Sequence, residues 1–333
     1  MKIKNLIGLM AATVFMMGAF AGCGANSAES ASSAASKDGI SVVTTIFPEY
    51  DWVKEIAGDA TGVEVTNLLD SGADLHNYQP TAEDIKTIAT CDLFIYVGGE
   101  SDEWAEDAIK TSVNPNQKAI NLMDVLKDSI KEEEVVEGMQ AEEEEEVEAE
   151  GEEAVEYDEH VWLSLKNAAV CVDAIKEAMS EIDTANANTY AANADAYITE
   201  IKNLDNEYRD MVDVASTKTV LFGDRFPFRY MVDDYGLDYF AAFVGCSAET
   251  EASFETIKFL AEKVDELNLK TVLTIENSDN KIADTIISNT TAKDAKILAM
   301  DSMQSSTSSD YESGVTYLSI MKNNLKVLTE ALN

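Results

Sequence analysis

The sequence predicts an α/β protein of two Rossmann-like lobes, each built on a parallel sheet and joined by a long rigid helix. Three observations predict it. Strand and helix signals alternate from Ser41 to Leu122. They alternate again from Lys218 to the C-terminus. Between these stretches, Asn167 to about Ser216 shows no strand signal and is rich in Ala, Asn, Glu and Lys. Strands separated by helical segments build parallel sheets covered on both faces. In such sheets ligands bind outside the carboxyl ends of the strands. Two lobes facing one another therefore place a ligand cleft between them.

In the first lobe, Ser41 to Phe47 is β-branched and apolar and reads as a strand, followed by a helix over Tyr50–Ala57. Val63–Leu69 is the second strand and Thr81–Ala89 the second helix. Cys91–Val97 is a third strand ending in Gly98-Gly99. Glu103–Thr111 returns to helix, and Lys118–Leu122 is a short strand. Glu132–Glu159 breaks the pattern, with sixteen acidic residues and no basic one. Mutual repulsion and scant apolar surface keep such a stretch out of a core, so a disordered acidic loop is expected at 132–157. In the linking segment, Tyr190, Tyr197, Ile201, Leu204, Tyr208 and Met211 recur at helical spacing, predicting one helix over Thr189–Val214. The second lobe reads as strand Lys218–Phe222, helix Phe226–Tyr235, strand Asp238–Phe243, helix Phe254–Leu267, strand Thr271–Ile275, helix Lys281–Ser288, strand Lys296–Met300 and helix Tyr311–Leu332.

The N-terminus has the anatomy of a secretion signal: Lys2 and Lys4, an uncharged apolar run over Leu6–Ala21, then small residues before Cys23. A cysteine in that place resembles a bacterial lipobox, with Cys23 as the acylated first residue. The organisation expected is a signal peptide at 1–22, a lipid-anchored Ser/Ala-rich tether at 23–39, the first lobe at 40–165, the linking segment at 166–216 and the second lobe at 217–333. No other apolar run approaches the ~18 residues needed to span a bilayer. The expected location is the outer face of the cell membrane, held there by lipid alone. The formal charge of −39 becomes −41 without Lys2 and Lys4. That excludes nucleic acid as a partner and disfavours anionic lipid. Cys91, Cys171 and Cys246 form no CxxC pair and lie among apolar neighbours, which reads as buried thiols. One disulfide among them is compatible with the sequence.

The chain has two histidines. His76 lies in Gly72-Ala73-Asp74-Leu75-His76-Asn77-Tyr78-Gln79-Pro80, just after a strand. His160 lies in Asp158-Glu159-His160-Val161-Trp162-Leu163, after the acidic stretch. Neutral imidazole is the commonest side-chain metal ligand. Glu276 ends the strand Thr271–Ile275, Asp279 follows it, and Asp224 follows Lys218–Phe222. Two imidazoles with one or two of these carboxylates make a first shell for Zn²⁺ or Mn²⁺.

These motifs resemble the bacterial metal-binding lipoproteins that feed zinc or manganese to ABC importers, the cluster A-I or zinc-uptake binding proteins. The resemblance runs along nearly all of the mature chain, through Val42-Val43-Thr44-Thr45-Ile46-Phe47-Pro48, both histidine motifs, Cys91–Gly99 and Tyr235-Gly236-Leu237. It implies His76 and His160 as ligands and Glu276 as the acidic ligand from the second lobe. It also implies a monomer that docks on a permease and, through it, on an ATPase. An insertion before the second histidine is typical of the family, rich in His in zinc members and in Glu here. The family's third ligand aligns at Arg225, which cannot ligate. Either Asp224 takes over, or three protein ligands and a water complete the shell. Arg225 is then expected to pair with Glu276 or Asp279 and hold them in place.

The expectation is capture of Zn²⁺, with Mn²⁺ the alternative, and delivery to an importer without bond-making. An extracellular metallohydrolase would need an open coordination position and a general base, and no HExxH helix or nucleophile elbow is present. Cell adhesion is compatible with the anchor and needs neither histidine motif.

Overall fold

A computed structural model describes residues 39–140, 155–247 and 251–333. The expected signal peptide and Cys23 lie outside the described residues, as does 141–154 of the acidic stretch. The first lobe runs β1 (Ile40–Thr44), α1 (Phe47–Ala57), β2 (Val63–Asn67), α2 (Ala82–Thr90), β3 (Leu93–Tyr96), α3 (Glu103–Lys110), β4 (Lys118–Asn121) and α4 (Leu122–Val125). Two helices, α5 (Leu165–Ile182) and α6 (Ala187–Val214), follow. The second lobe runs β5 (Thr219–Phe226), α7 (Arg229–Tyr235), β6 (Asp238–Val244), α8 (Phe254–Leu267), β7 (Thr271–Ile275), α9 (Lys281–Asn289), β8 (Lys296–Met300), α10 (Ser308–Glu312) and α11 (Tyr317–Ala331).

Each lobe carries a four-stranded, all-parallel sheet with the same winding, β2-β1-β3-β4 and β6-β5-β7-β8. The strands β3 and β7 are buried along their whole length. That is why their sequences, LFIY and TVLTI, show little polar alternation. The lobes share one apolar core. It joins Trp52 of α1, Trp162, Tyr190 and Tyr208 of α6, Phe222 of β5 and Tyr317 of α11. Tyr317 donates to the Trp162 carbonyl at 2.8 Å, and Trp162 Nε1 donates to the Ser302 carbonyl at 2.8 Å. No helix among the described residues is long and apolar enough to cross a membrane.

Four expectations are revised. The linking segment is two helices, α5 and α6, where the tyrosine spacing marked only the second. The strand expected at Lys218–Phe222 continues to Phe226 through a bulge between Phe222 and Arg225. Pro227 explains this, because the residue before proline is driven to extended backbone, so the expected helix starts only at Arg229. The closing helix is broken at Gly314, whose φ of 87° suits glycine. Finally, the described flanks of the acidic stretch are ordered. Glu132 bridges Tyr157, and Gln140 adds to the edge of β6 beside Phe243. Val136 and Met139 pack against the core, which a reading based on charge alone overlooks.

Candidate metal centre

Both histidines sit in the same local device. In Asp74-Leu75-His76 the Asp74 carboxylate accepts the His76 amide at 3.0 Å. In Asp158-Glu159-His160 the Asp158 carboxylate accepts the His160 amide at 2.9 Å. Aspartate favours such a turn because its short side chain reaches the amide two residues on. Each turn sets its imidazole with Nδ1 occupied. His76 Nδ1 is 2.8 Å from Ser101 Oγ and 3.6 Å from Glu159 Oε2. His160 Nδ1 is 3.0 Å from Asp158 Oδ1. A carboxylate only accepts, so His160 Nδ1 carries the hydrogen and Nε2 carries the lone pair.

The two Nε2 atoms then face one another at 3.1 Å. The Gln304 side-chain nitrogen stands 2.8 Å from each. Its two N–H groups satisfy the two lone pairs, and its Oε1 accepts from Ser302 Oγ at 2.9 Å. Tetrahedral Zn²⁺ with Zn–N near ~2.0 Å sets its nitrogens about 3.3 Å apart, close to the spacing seen. His160 is fully buried. Burial, His160 and Arg225 hold the His76 imidazole well below its ordinary value, against the pull of Asp74. It therefore offers a lone pair without first losing a proton.

Among the described residues, one group of three His, Cys, Asp or Glu donors has all its ligand atoms within 4.8 Å of one another: His76, His160 and Cys246. Cys246 follows β6. Its chain passes so close to His160 that a Cβ on Gly245 would lie 2.9 Å from His160 Cε1. A cavity of about 260 Å³ opens beside this group, with Glu100, Glu133, Glu156 and Glu159 in its wall. Glu133 Oε1 and Glu159 Oε2 are buried there without a hydrogen-bond partner. Burial raises the Glu159 carboxyl, opposed by its bonds to Ser101.

The three carboxylates proposed from sequence are outside that three-donor group, although Glu276 is bonded to Gln304, which touches both histidines. Glu276 is held by the Ser302 amide at 2.7 Å, Ser302 Oγ at 2.8 Å and the Gln304 amide at 3.1 Å. Asp224 accepts from Ser278 Oγ at 2.6 Å and from the Arg225 amide at 2.9 Å. Asp279 pairs with Lys281. All three line a separate cleft of about 330 Å³ between the lobes. Arg225 pairs with Asp74, where Glu276 or Asp279 was expected. The bulge in β5 precedes it, and through Asp74 it props the turn that carries His76. Burial and the Glu276 carboxylate raise Asp301.

Sequence reading missed Cys246 and Gln304. Cys246 stands just past the carboxyl end of a predicted strand, a usable signal, but its apolar neighbours read like those of a core thiol. Cys91 and Cys171 are buried, Cys246 only partly, and none of the three is in a disulfide. Gln304 carried no signal, since its place depends on the loop after β8.

The family described as zinc-uptake complex component A, periplasmic, matches residues 42–331. The zinc-binding lipoprotein AdcA of Streptococcus pneumoniae is 30% identical over 87% of this chain, and the match takes in 55% of that protein. The chain thus spans about half the length of such relatives. The high-affinity zinc uptake system protein ZnuA of Bacillus subtilis is 30% identical over 94% of this chain and 93% of its own. Among solved structures, the Zn(II)-bound ZnuA-like domain of S. pneumoniae AdcA superposes with a TM-score of 0.67. It is 26% identical, and the superposition covers 88% of this chain and 99% of that one.

Proposed function

The chain belongs to the family of zinc-uptake complex component A, and on that premise we propose that it captures Zn²⁺ outside the cytoplasm and hands it to an ABC importer. The observation that carries this reading is the His76–His160 pair: two Nε2 lone pairs 3.1 Å apart, each ring held from behind through Nδ1. The relatives named for zinc support the choice of metal over Mn²⁺. Binding is reversible coordination, with no bond made or broken in a substrate. Lipidation at Cys23 holds the protein at the outer face of the membrane, as a monomer beside its permease and ATPase. Lobe one is residues 40–165 and lobe two 217–333, with Glu276, Asp224 and Asp279 lining the cleft between them.

Zinc titration tests this, comparing the protein with a His76→Ala, His160→Ala double variant. One tightly held equivalent is expected, lost in the double variant. Undiminished binding in the variant would remove the pair from the metal site.

A further inference from the structure

We propose that Cys246 supplies the third protein ligand as a thiolate, making the metal centre a His₂Cys site. This deepens the zinc reading above and rests on its histidine pair. Three features of the structure point to it. The Cys246 sulfur and the two imidazoles form the one three-donor group among the described residues, with ligand atoms within 4.8 Å of one another. The backbone is arranged to allow it, because only a residue without Cβ fits at 245, between His160 Cε1 and the Phe226 carbonyl, both 2.9 Å from a built Cβ. And the carboxylates proposed from sequence are engaged, Glu276 with the 302–304 loop, Asp279 with Lys281 and Asp224 with Ser278, while Arg225 pairs with Asp74. Tetrahedral Zn–S of ~2.3 Å beside Zn–N of ~2.0 Å needs sulfur and nitrogen about 3.5 Å apart. With the three ligand atoms within 4.8 Å of one another, closing to that spacing takes a shift of about 1 Å.

The chemistry balances simply. The S–H bond breaks, an S–Zn bond forms, and the proton leaves to solvent, so binding releases about one proton per zinc. Burial and the carboxylates of Asp158, Glu159 and Glu133 favour the thiol while no cation is present. A coordinated divalent cation reverses that balance. The consequence is selectivity. A thiolate favours soft, thiophilic metals, while Mn²⁺ prefers oxygen donors. The arginine at 225 is then no loss, since a donor from the next strand replaces the one that Arg225 cannot be.

Cobalt(II) tests this in the full chain. A thiolate-to-cobalt charge-transfer band in the near ultraviolet at one equivalent is expected. It should vanish in Cys246→Ser, with zinc affinity falling at least about tenfold and the metal-free melting temperature nearly unchanged. Cys91→Ser and Cys171→Ser should keep the band. Absence of the band in the unsubstituted protein, or unchanged zinc affinity in Cys246→Ser, would overturn the thiolate ligand. The histidine reading fails separately. If the His76→Ala, His160→Ala variant binds zinc normally, both ideas fall; if it loses zinc and Cys246→Ser does not, only the thiolate does.

Discussion

The side-chain nitrogen of Gln304 lies 2.8 Å from Nε2 of His160 and donates to it, because the Nδ1 hydrogen of that ring is already committed to Asp158. The same amide serves His76 at 2.8 Å. On the proposed function, a metal on the two nitrogens must displace this amide, so Gln304 would compete with the cargo. Replacing Gln304 by Ala leaves two buried lone pairs facing each other. The metal-free protein should lose about 1–3 kcal/mol, seen as a lower denaturation midpoint, while zinc associates faster in stopped-flow. A slower association would show that Gln304 assists capture instead.

Asp74 joins two contacts in one carboxylate, with the His76 amide on Oδ1 and Arg225 on Oδ2. Asp74→Asn keeps the shape and weakens both. Partners behind a ligand are typically worth ~10–100-fold in metal affinity, so zinc affinity should drop by about that much in a competition titration. Arg225→Ala should do less, since the Asp74 bond to the His76 amide survives. Equal affinity in Asp74→Asn and the unsubstituted protein would mean the His76 turn holds without its cap.

Much of the fold was legible because apolar periodicity is local. Runs such as Thr271–Ile275 announce a buried strand without knowledge of their neighbours. The lost boundaries were those set by a single residue, Pro227 or Gly314, against an otherwise helical pattern. The two histidines were legible because each sits in a contiguous motif, and the structure shows what the aspartates in those motifs do, capping the turn that carries each ring. Cys246 and Gln304 were not, since they reach the site on the loops after β6 and β8, the two edge strands of the β6-β5-β7-β8 sheet, and the paths of those loops are not written in either strand. The ordered flanks of the acidic stretch were hidden by its charge, although Val136 and Met139 anchor it.

Glu49 sits fully buried at the start of α1, accepting from the Thr45 and Ile46 amides. Burial, with Asp102 opposite, pushes its carboxyl up to about 8 from an ordinary 4.5. Below 4.5 both folded and unfolded chains hold the proton. Between 4.5 and 8 only the folded chain does, so stability falls as pH rises through that window and levels off above it. Each unit is worth about 1.4 kcal/mol, making the decline a few kcal/mol at most. Asp102 and Asp51, each raised chiefly by burial to about 7, act in the same direction. Urea midpoints of the metal-free protein should decline from pH 5 to pH 8.5, and Glu49→Gln should flatten the slope. A parallel slope in the variant would assign the decline to other groups.

On the proposed function, the shared core also bears on how metal would be released. Trp162 lies two residues beyond His160, is fully buried, and is tied to the second lobe through Ser302 and to α11 through Tyr317. Swinging the lobes apart would expose Trp162, Tyr208 and Tyr317 together, at ~25 cal/mol for each Å² of apolar surface returned to water. That cost opposes a wide hinge, and the 302–304 loop is buried as well, with Met303 in the core, which leaves the 245–247 turn and the Gln304 side chain as the parts to move. The radius of gyration from solution scattering should therefore match between metal-free and zinc-loaded protein. Amide hydrogen exchange should change around Cys246 and Gln304 and stay constant along α6. A clear contraction on zinc binding would show that the lobes do separate, and that Tyr317 and Trp162 part when they do. Tyr317→Phe supplies the control, because losing one buried hydrogen bond should cost about 1 kcal/mol without altering zinc affinity, if the lobes move as one body.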